Sequence, residues 1–199
     1  MLNASKPHNM DGYQRFAPSQ MEKIARRFAD MMRRRKSVRD FSNDTIPQDV
    51  IRECLRAATS APSIEHRQPW RFVAISDSGI KSQIRASEIA TCPHAAKDDD
   101  QHLAFLEKAP WLIAVFSEPN SSACASLAIG LLLTSIHSVG LGSMIYSPGG
   151  LDRLNAICNR PRNEKPVMII AIGHPKSVIG IPQTEKSYKE LDQVIEFLD

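Results

Sequence analysis

The chain has 199 residues, 42% of them hydrophobic and 24% charged, enough for a well-filled core of one large or two small domains. A net charge of +3 is too small to argue for nucleic acid but tolerates an anionic ligand. The four cysteines, Cys54, Cys92, Cys124 and Cys158, show no CxxC or Cys/His spacing of a zinc site, and no apolar run reaches membrane-spanning length; a reduced, cytosolic protein is expected.

Residues 1–18 are polar and aperiodic and read as an N-terminal arm, leaving 19–199 as one domain. Ser19 and Glu22 have capping-box spacing. Met21, Ile24, Ala25, Phe28, Met31 and Met32 then recur at helical intervals to about Arg34. The basic run Arg33–Lys36, with Arg39 behind it, is either a solvated helix end or a phosphate cradle. Lys36–Phe41 reads as extended. Pro47 opens a second helix, whose apolar face is Val50, Ile51, Cys54, Leu55 and Ala58.

Pro62 and Pro69 prevent a continuous helix through Ala61–Trp70, so this stretch connects the helix to a strand beginning near Phe72. It gathers Ser63, His66, Arg67, Gln68 and Trp70, a mix that suits a planar, polar, partly anionic ligand as well as a tight connection on a buried Trp. Further on, Ile80–Ile89 reads as a helix, Cys92–Gln101 as a polar interruption and His102–Lys108 as a short helix. Trp111–Phe116 has no polar face, which predicts a central strand.

Ala123–Val139 is apolar on more than one side, as either the central helix or a subunit interface, and Gly140-Leu141-Gly142 stops it. Ser143–Tyr146 is a strand, Leu151, Leu154 and Ile157 mark a short helix, and Val167–Ile172 is the last strand. Pro182–Lys189 is a polar loop, and Asp192–Leu198 is either a helix or an added strand. Alternating helices and strands place the fold in the α/β or α+β class, and the chain lacks the glycine patterns of a Rossmann dinucleotide site and a P-loop.

Four of these segments, taken in order, resemble the FMN-dependent nitroreductase superfamily. They are Arg35-Lys36-Ser37-Val38-Arg39-Asp40-Phe41, the Ala61–Trp70 loop, the leucine-rich helix ending at Gly142, and Pro161 through His174-Pro175. His66, Glu164-Lys165 and Ser147 before Pro148 are similar to the iodotyrosine deiodinase branch. The resemblance implies an α+β sandwich with a mixed central sheet flanked by helices, assembled as an intertwined homodimer. It implies FMN held by Arg35, Lys36, Ser37 and Arg39 at the phosphate and ring edge. Pro62, Ser63, Ile64 and His66 would lie on one side of the ring and Ile145, Tyr146 and Ser147 on the other, with Lys186 or Lys189 as a further phosphate contact. Ile64 and Glu65 would face a small aromatic substrate.

Chemically, Arg and Lys suit a dianionic phosphate. Ser147 is either a turn residue or a hydroxyl bonded to the reactive ring nitrogen, where it would open one-electron steps. The activity implied is reduction of a small aromatic acceptor with electrons from NAD(P)H or another reductase. The alternatives are reductive dehalogenation of halophenols or halotyrosines, and FMN binding without catalysis. Two segments depart from the deiodinase branch. The lid region between Ile84 and Ala109 is short, offering Glu88, His94, Lys97 and three aspartates but no tyrosine, with Leu103 near the place of the lid lysine. The C-terminal phosphate arginine of the branch has no clean equivalent; Lys186 and Lys189 are the candidates, with a changed spacing to Leu191-Asp192.

Overall fold

The computed structural model describes residues 13–91, 103–149, 151–176 and 188–198, with side-chain environments omitted at 151 and 152. The chain divides into two compact units, residues 1–35 and 36–199. The interruption Cys92–Gln101, most of Pro182–Lys189 and the first twelve residues of the arm lie outside the described residues.

The first unit contains helix α1, Pro18–Arg34. Its start differs from the capping-box expectation: Ala17 is the N-cap and no side chain caps the helix. Pro18 sits at the first helical position, where its fixed φ is pre-organised and its missing N–H is not needed. Ser19 therefore falls inside the helix, and Glu22 pairs with Arg26 at 2.6 Å. Met21, Ile24 and Phe28 recur along the helix, each about half exposed.

The second unit is built on a four-stranded sheet, order β1-β2-β4-β3, from β1 Trp70–Ile75, β2 Trp111–Ser117, β3 Gly142–Tyr146 and β4 Lys165–Gly173. All three pairings are antiparallel. Among the described residues the sheet is mixed through the extended piece at 36–41, which forms a parallel bridge from Ser37 to Ser143 and an antiparallel one from Phe41 to Pro175. β2 is interior and buried from Leu112 to Ser117, as its lack of a polar face predicts.

Strand alternation sorts the interior into two layers. Leu112, Ala114 and Phe116 of β2, with Ile169 and Ala171 of β4, face α3 (Ser78–Thr91), α4 (Phe105–Lys108) and α6 (Leu151–Ile157). Ile113 and Val115, with Ile170 and Ile172, face α2 (Gln48–Thr59) and α5 (Ser122–Ser138). The result is the α/β sandwich expected. α5 packs as a central helix on one side, where Ala128, Leu132 and Ile136 are buried against the sheet, whereas Leu127 and Leu131 stand exposed.

α5 ends in a Schellman motif: Gly140 takes φ +81°, its N–H reaches the His137 carbonyl and the Leu141 N–H reaches Ile136. Leu103, expected near a lid lysine, is a core residue instead. Asp192–Leu198 is neither helix nor strand. It contains part of one 3-10 turn, Leu191–Gln193, after which Phe197 and Leu198 are exposed. Among the described residues this segment has no strand partner, so its apolar pattern organises no regular element.

Candidate functional site

One group of expected site residues gathers at the β3 edge. The Val38 N–H donates to the Ser143 carbonyl at 3.0 Å, and the Ser37 bridge holds the basic segment beside the start of β3. Gly142 permits this approach: a Cβ there would come within 2.9 Å of Val38 Cγ2. Val38 is buried, Lys36 and Ser37 are half-buried, and Arg39 is exposed with no acidic partner among the described residues. Farther along β3, Ile145 and Tyr146 are half-buried. Ser147, just beyond the strand, is exposed, and its hydroxyl has no protein partner among the described residues. Arg35 closes the first unit, its N–H bonded to the Met32 carbonyl at the end of α1.

A second group lies in the connection before β1. Ile64–His66 forms a single 3-10 turn, with the His66 N–H bonded to the Ser63 carbonyl and the Arg67 N–H to that of Ile64. Ser63 Oγ accepts the Gln68 N–H at 2.9 Å, which closes the turn and leaves the hydroxyl proton to donate elsewhere. Glu65, His66 and Gln68 have φ of +52°, +56° and +49°. Left-handed backbone costs an L-residue about 1–2 kcal/mol, and such strain concentrates at functional sites. The turn points its side chains outward: Pro62, Ile64, Glu65 and His66 are exposed, with Ile64 at 76%. Its anchors are Ala61 and Pro69, both buried, rather than Trp70, which is half-buried.

β1 and β3 are opposite edges of the sheet, with β2 and β4 between them. Three inter-strand steps of about 4.8 Å separate the edges by roughly 14 Å. One chain therefore brings Lys36, Ser37, Arg39, Ile145, Tyr146 and Ser147 together, but not Pro62, Ser63, Ile64, Glu65 and His66 with them. Lys189 is exposed near the C-terminus, and Lys186 is outside the described residues.

Glu88 is not a lid group. It lies in α3 at 1% exposure and accepts bonds from Tyr146 and Gly149. Sequence reading also missed a polar cleft of about 260 Å³ at the end of the sheet, with Arg67, Arg71, Glu118 and Glu164 among its lining residues. Arg67 pairs with Glu118 at 3.3 Å across fifty-one positions, a separation with no local sequence signal. Arg160 makes two bonds to Glu164, which hold the Glu164 carboxyl below its ordinary range; burial opposes this and Arg71 adds to it. No group of His, Cys, Asp and Glu among the described residues is arranged to hold a metal.

Three comparisons with known proteins agree with this architecture. Residues 32–174 match the nitroreductase family. An iodotyrosine deiodinase from Haliscomenobacter hydrossis is 31% identical over 90% of this chain and 93% of its own length. Human iodotyrosine deiodinase 1 is 28% identical over 90% of this chain and 71% of its own length. A crystal structure of oxidized iodotyrosine deiodinase bound to FMN and 3-iodo-L-tyrosine superposes with a TM-score of 0.72 at 27% identity, covering 86% of this chain and 99% of the other. An FMN-dependent nitroreductase from Clostridium difficile shares the fold, with a TM-score of 0.68 at 18% identity over 85% of this chain and 98% of the other. The strand order, the basic segment beside β3 and the strained turn before β1 thus sit in a chain that belongs to the nitroreductase family.

Proposed function

We propose that this protein is an FMN-dependent oxidoreductase that reduces a small aromatic acceptor with electrons from NAD(P)H or another reductase. The observation that carries the reading is the β3 edge, where an exposed Arg39 without an acidic partner and a Ser147 hydroxyl without a protein partner, among the described residues, flank one strand. These groups fit FMN. Arg35, Lys36 and Arg39 would meet the phosphate and the electron-rich ring edge, Ser37 would add a hydroxyl donor, and Lys186 or Lys189 a further cation. Bound FMN would supply a carrier that passes electrons singly or as a pair.

The chain's own residues would bind, orient and exclude water. Ile145 and Tyr146 would back one side of the ring. Pro62, Ser63, Ile64 and His66 would cover the other, with Ile64 and Glu65 facing the acceptor. Ser147 Oγ both donates and accepts, so it can follow a change in protonation at the ring atom it faces, whereas a backbone N–H only donates. Because the two residue groups lie on opposite sheet edges, a complete site needs the turn of a second copy. The exposed Leu127 and Leu131 on α5 supply apolar surface for such a homodimer.

A second reading, reductive dehalogenation of a halophenol or halotyrosine, is favoured by the similarity to iodotyrosine deiodinases and by the Ser147 hydroxyl. In that reaction the carbon–halogen bond breaks and the halide leaves as an anion. The ring carbon takes up a proton, and the two electrons come from NAD(P)H or the other reductase. The test is a visible spectrum of the purified protein after FMN reconstitution, followed by acceptor assays with nitrophenols and halophenols under NADH and NADPH. Flavin absorbance with turnover of either class is expected. A colourless protein after reconstitution overturns the proposal, and halide release separates the two readings.

A further inference from the structure

Glu88 stands near the C-terminal end of α3, almost fully buried. An acid in the last turn of a helix opposes the helix dipole, and burying it removes its hydration. A leucine or methionine would fill the space without either cost. The neighbours explain why an acid is there. Glu88 Oε2 accepts a hydrogen bond from Tyr146 Oη at 3.0 Å and another from the Gly149 N–H at 2.7 Å. Its two partners lie on either side of Ser147. Tyr146 is held further by an edge-on contact with the Phe105 ring, centroids 6.0 Å apart. Pro148, between the anchors, is buried, whereas Ser147 is exposed. Thr91 Oγ1, bonded to the Ser87 and Glu88 carbonyls, completes the surface against which Gly149 rests.

We infer that Glu88 is a positioning residue for Ser147: by gripping the chain at Tyr146 and at Gly149 it sets where the Ser147 hydroxyl points, although it does not itself reach the reacting atoms. This rests on the reading of Ser147 given under the proposed function. Both bonds fall on one carboxyl oxygen, so the geometry makes a specific demand. Glu88→Gln can place its single amide oxygen there and keep both bonds, whereas Glu88→Leu loses both and Tyr146→Phe loses one.

The first measurement needs no cofactor. Amide hydrogen exchange is followed in the ligand-free full chain, comparing Ser147–Gly149 with β2 and β4. Glu88→Leu removes the acceptor of the Gly149 N–H and should speed exchange in the turn roughly fivefold to tenfold, the change that loss of that one backbone hydrogen bond carries, while β2 and β4 stay as in wild type. Tyr146→Phe should show a smaller change in the same place, and Glu88→Gln should stay close to wild type. The second measurement uses the FMN-loaded protein and reads the flavin midpoint potential and absorbance spectrum in a cycle with Ser147→Ala. Glu88→Leu should shift both in a wild-type background and shift neither further in the Ser147→Ala background.

Unchanged exchange at Gly149 in Glu88→Leu and Tyr146→Phe overturns the inference. So does a Glu88→Leu effect on the potential that is fully additive with Ser147→Ala, which would mark Glu88 as a merely structural group. If Glu88→Leu does not fold, Tyr146→Phe and Glu88→Gln carry the same comparison. A wild-type chain that takes up no FMN overturns the functional reading and the flavin half of the inference, and the exchange result alone then decides whether Glu88 sets the turn.

Discussion

Single side chains at the β3 edge and around Glu164 carry the most direct expectations. Arg39→Ala should weaken FMN binding about tenfold or more, since a charge-assisted hydrogen bond contributes roughly 1.5–3 kcal/mol. A fluorescence titration checks this, and an unchanged Kd removes Arg39 from the cofactor contacts. A pH prediction follows from the Arg160–Glu164 pair, whose side chains are mostly buried. Hydrogen bonds from Arg160 are the main reason the Glu164 pKa lies below its ordinary value of 4.5. A carboxyl with a lowered folded-state pKa stabilises the fold fully above its unfolded value. That contribution is lost as pH falls below about 4.5 through the depressed folded value. Glu164→Gln should flatten this part of the acid-unfolding curve while wild type keeps it, as measured by denaturant midpoints from pH 6 to about pH 3.

Among the elements, the end of β4 and the turn before β1 test opposite kinds of fit. Gly173 closes β4 against Phe41 and Pro110, and a Cβ there would come within 2.6 Å of Phe41 Cδ1 and 2.8 Å of Pro110 Cδ. Phe41 is 2% exposed and has little room to yield, so Gly173→Ala should cost about 1–3 kcal/mol, read as a lower urea midpoint at unchanged slope. Glu65, by contrast, already has a side chain in left-handed backbone. Glu65→Gly relieves that strain but adds unfolded-state entropy, so a net gain of about 0.5–1 kcal/mol is expected, read as a small rise in Tm. A loss of stability would mean that the Glu65 side chain has a holding role.

At the level of the whole molecule, the separation of two residue groups onto opposite sheet edges predicts a site shared between copies. Light scattering should give twice the 22.2 kDa chain mass, and a monomer that retains FMN would sink the shared-site reading. Subunit mixing is a sharper test. Ser147→Ala damages the β3 edge and Ile64→Asp damages the turn, so each homodimer has two defective sites. In an equal mixture about half the dimers carry one copy of each, with one intact site per dimer, so activity should return to about a quarter of wild type by symmetry. No recovery after verified exchange would place both groups in a site formed by one chain.

Local patterns determined much of this protein without the fold. Strand β2, α2 and the Gly140 stop of α5 are legible because an apolar period of 2 or 3.6, or a glycine after the last periodic residue, acts within a few residues. The basic segment, the Ala61–Trp70 loop and Ser147 stand out for the same reason: their chemistry is concentrated in short stretches. The helix start at Pro18 was equally local, yet two capping signals competed there and the proline prevailed. Tertiary structure decided what depends on distant partners. Glu88 looked like a spare lid acid until α3 packed it against Tyr146 and Gly149, fifty-eight and sixty-one positions away. Leu103 became core, and Arg67 met Glu118, through the same long-range packing. Strand order, which sets the Ala61–Trp70 turn and Ser147 at opposite edges, depends on which strands pair, and no periodicity within a strand encodes its neighbour.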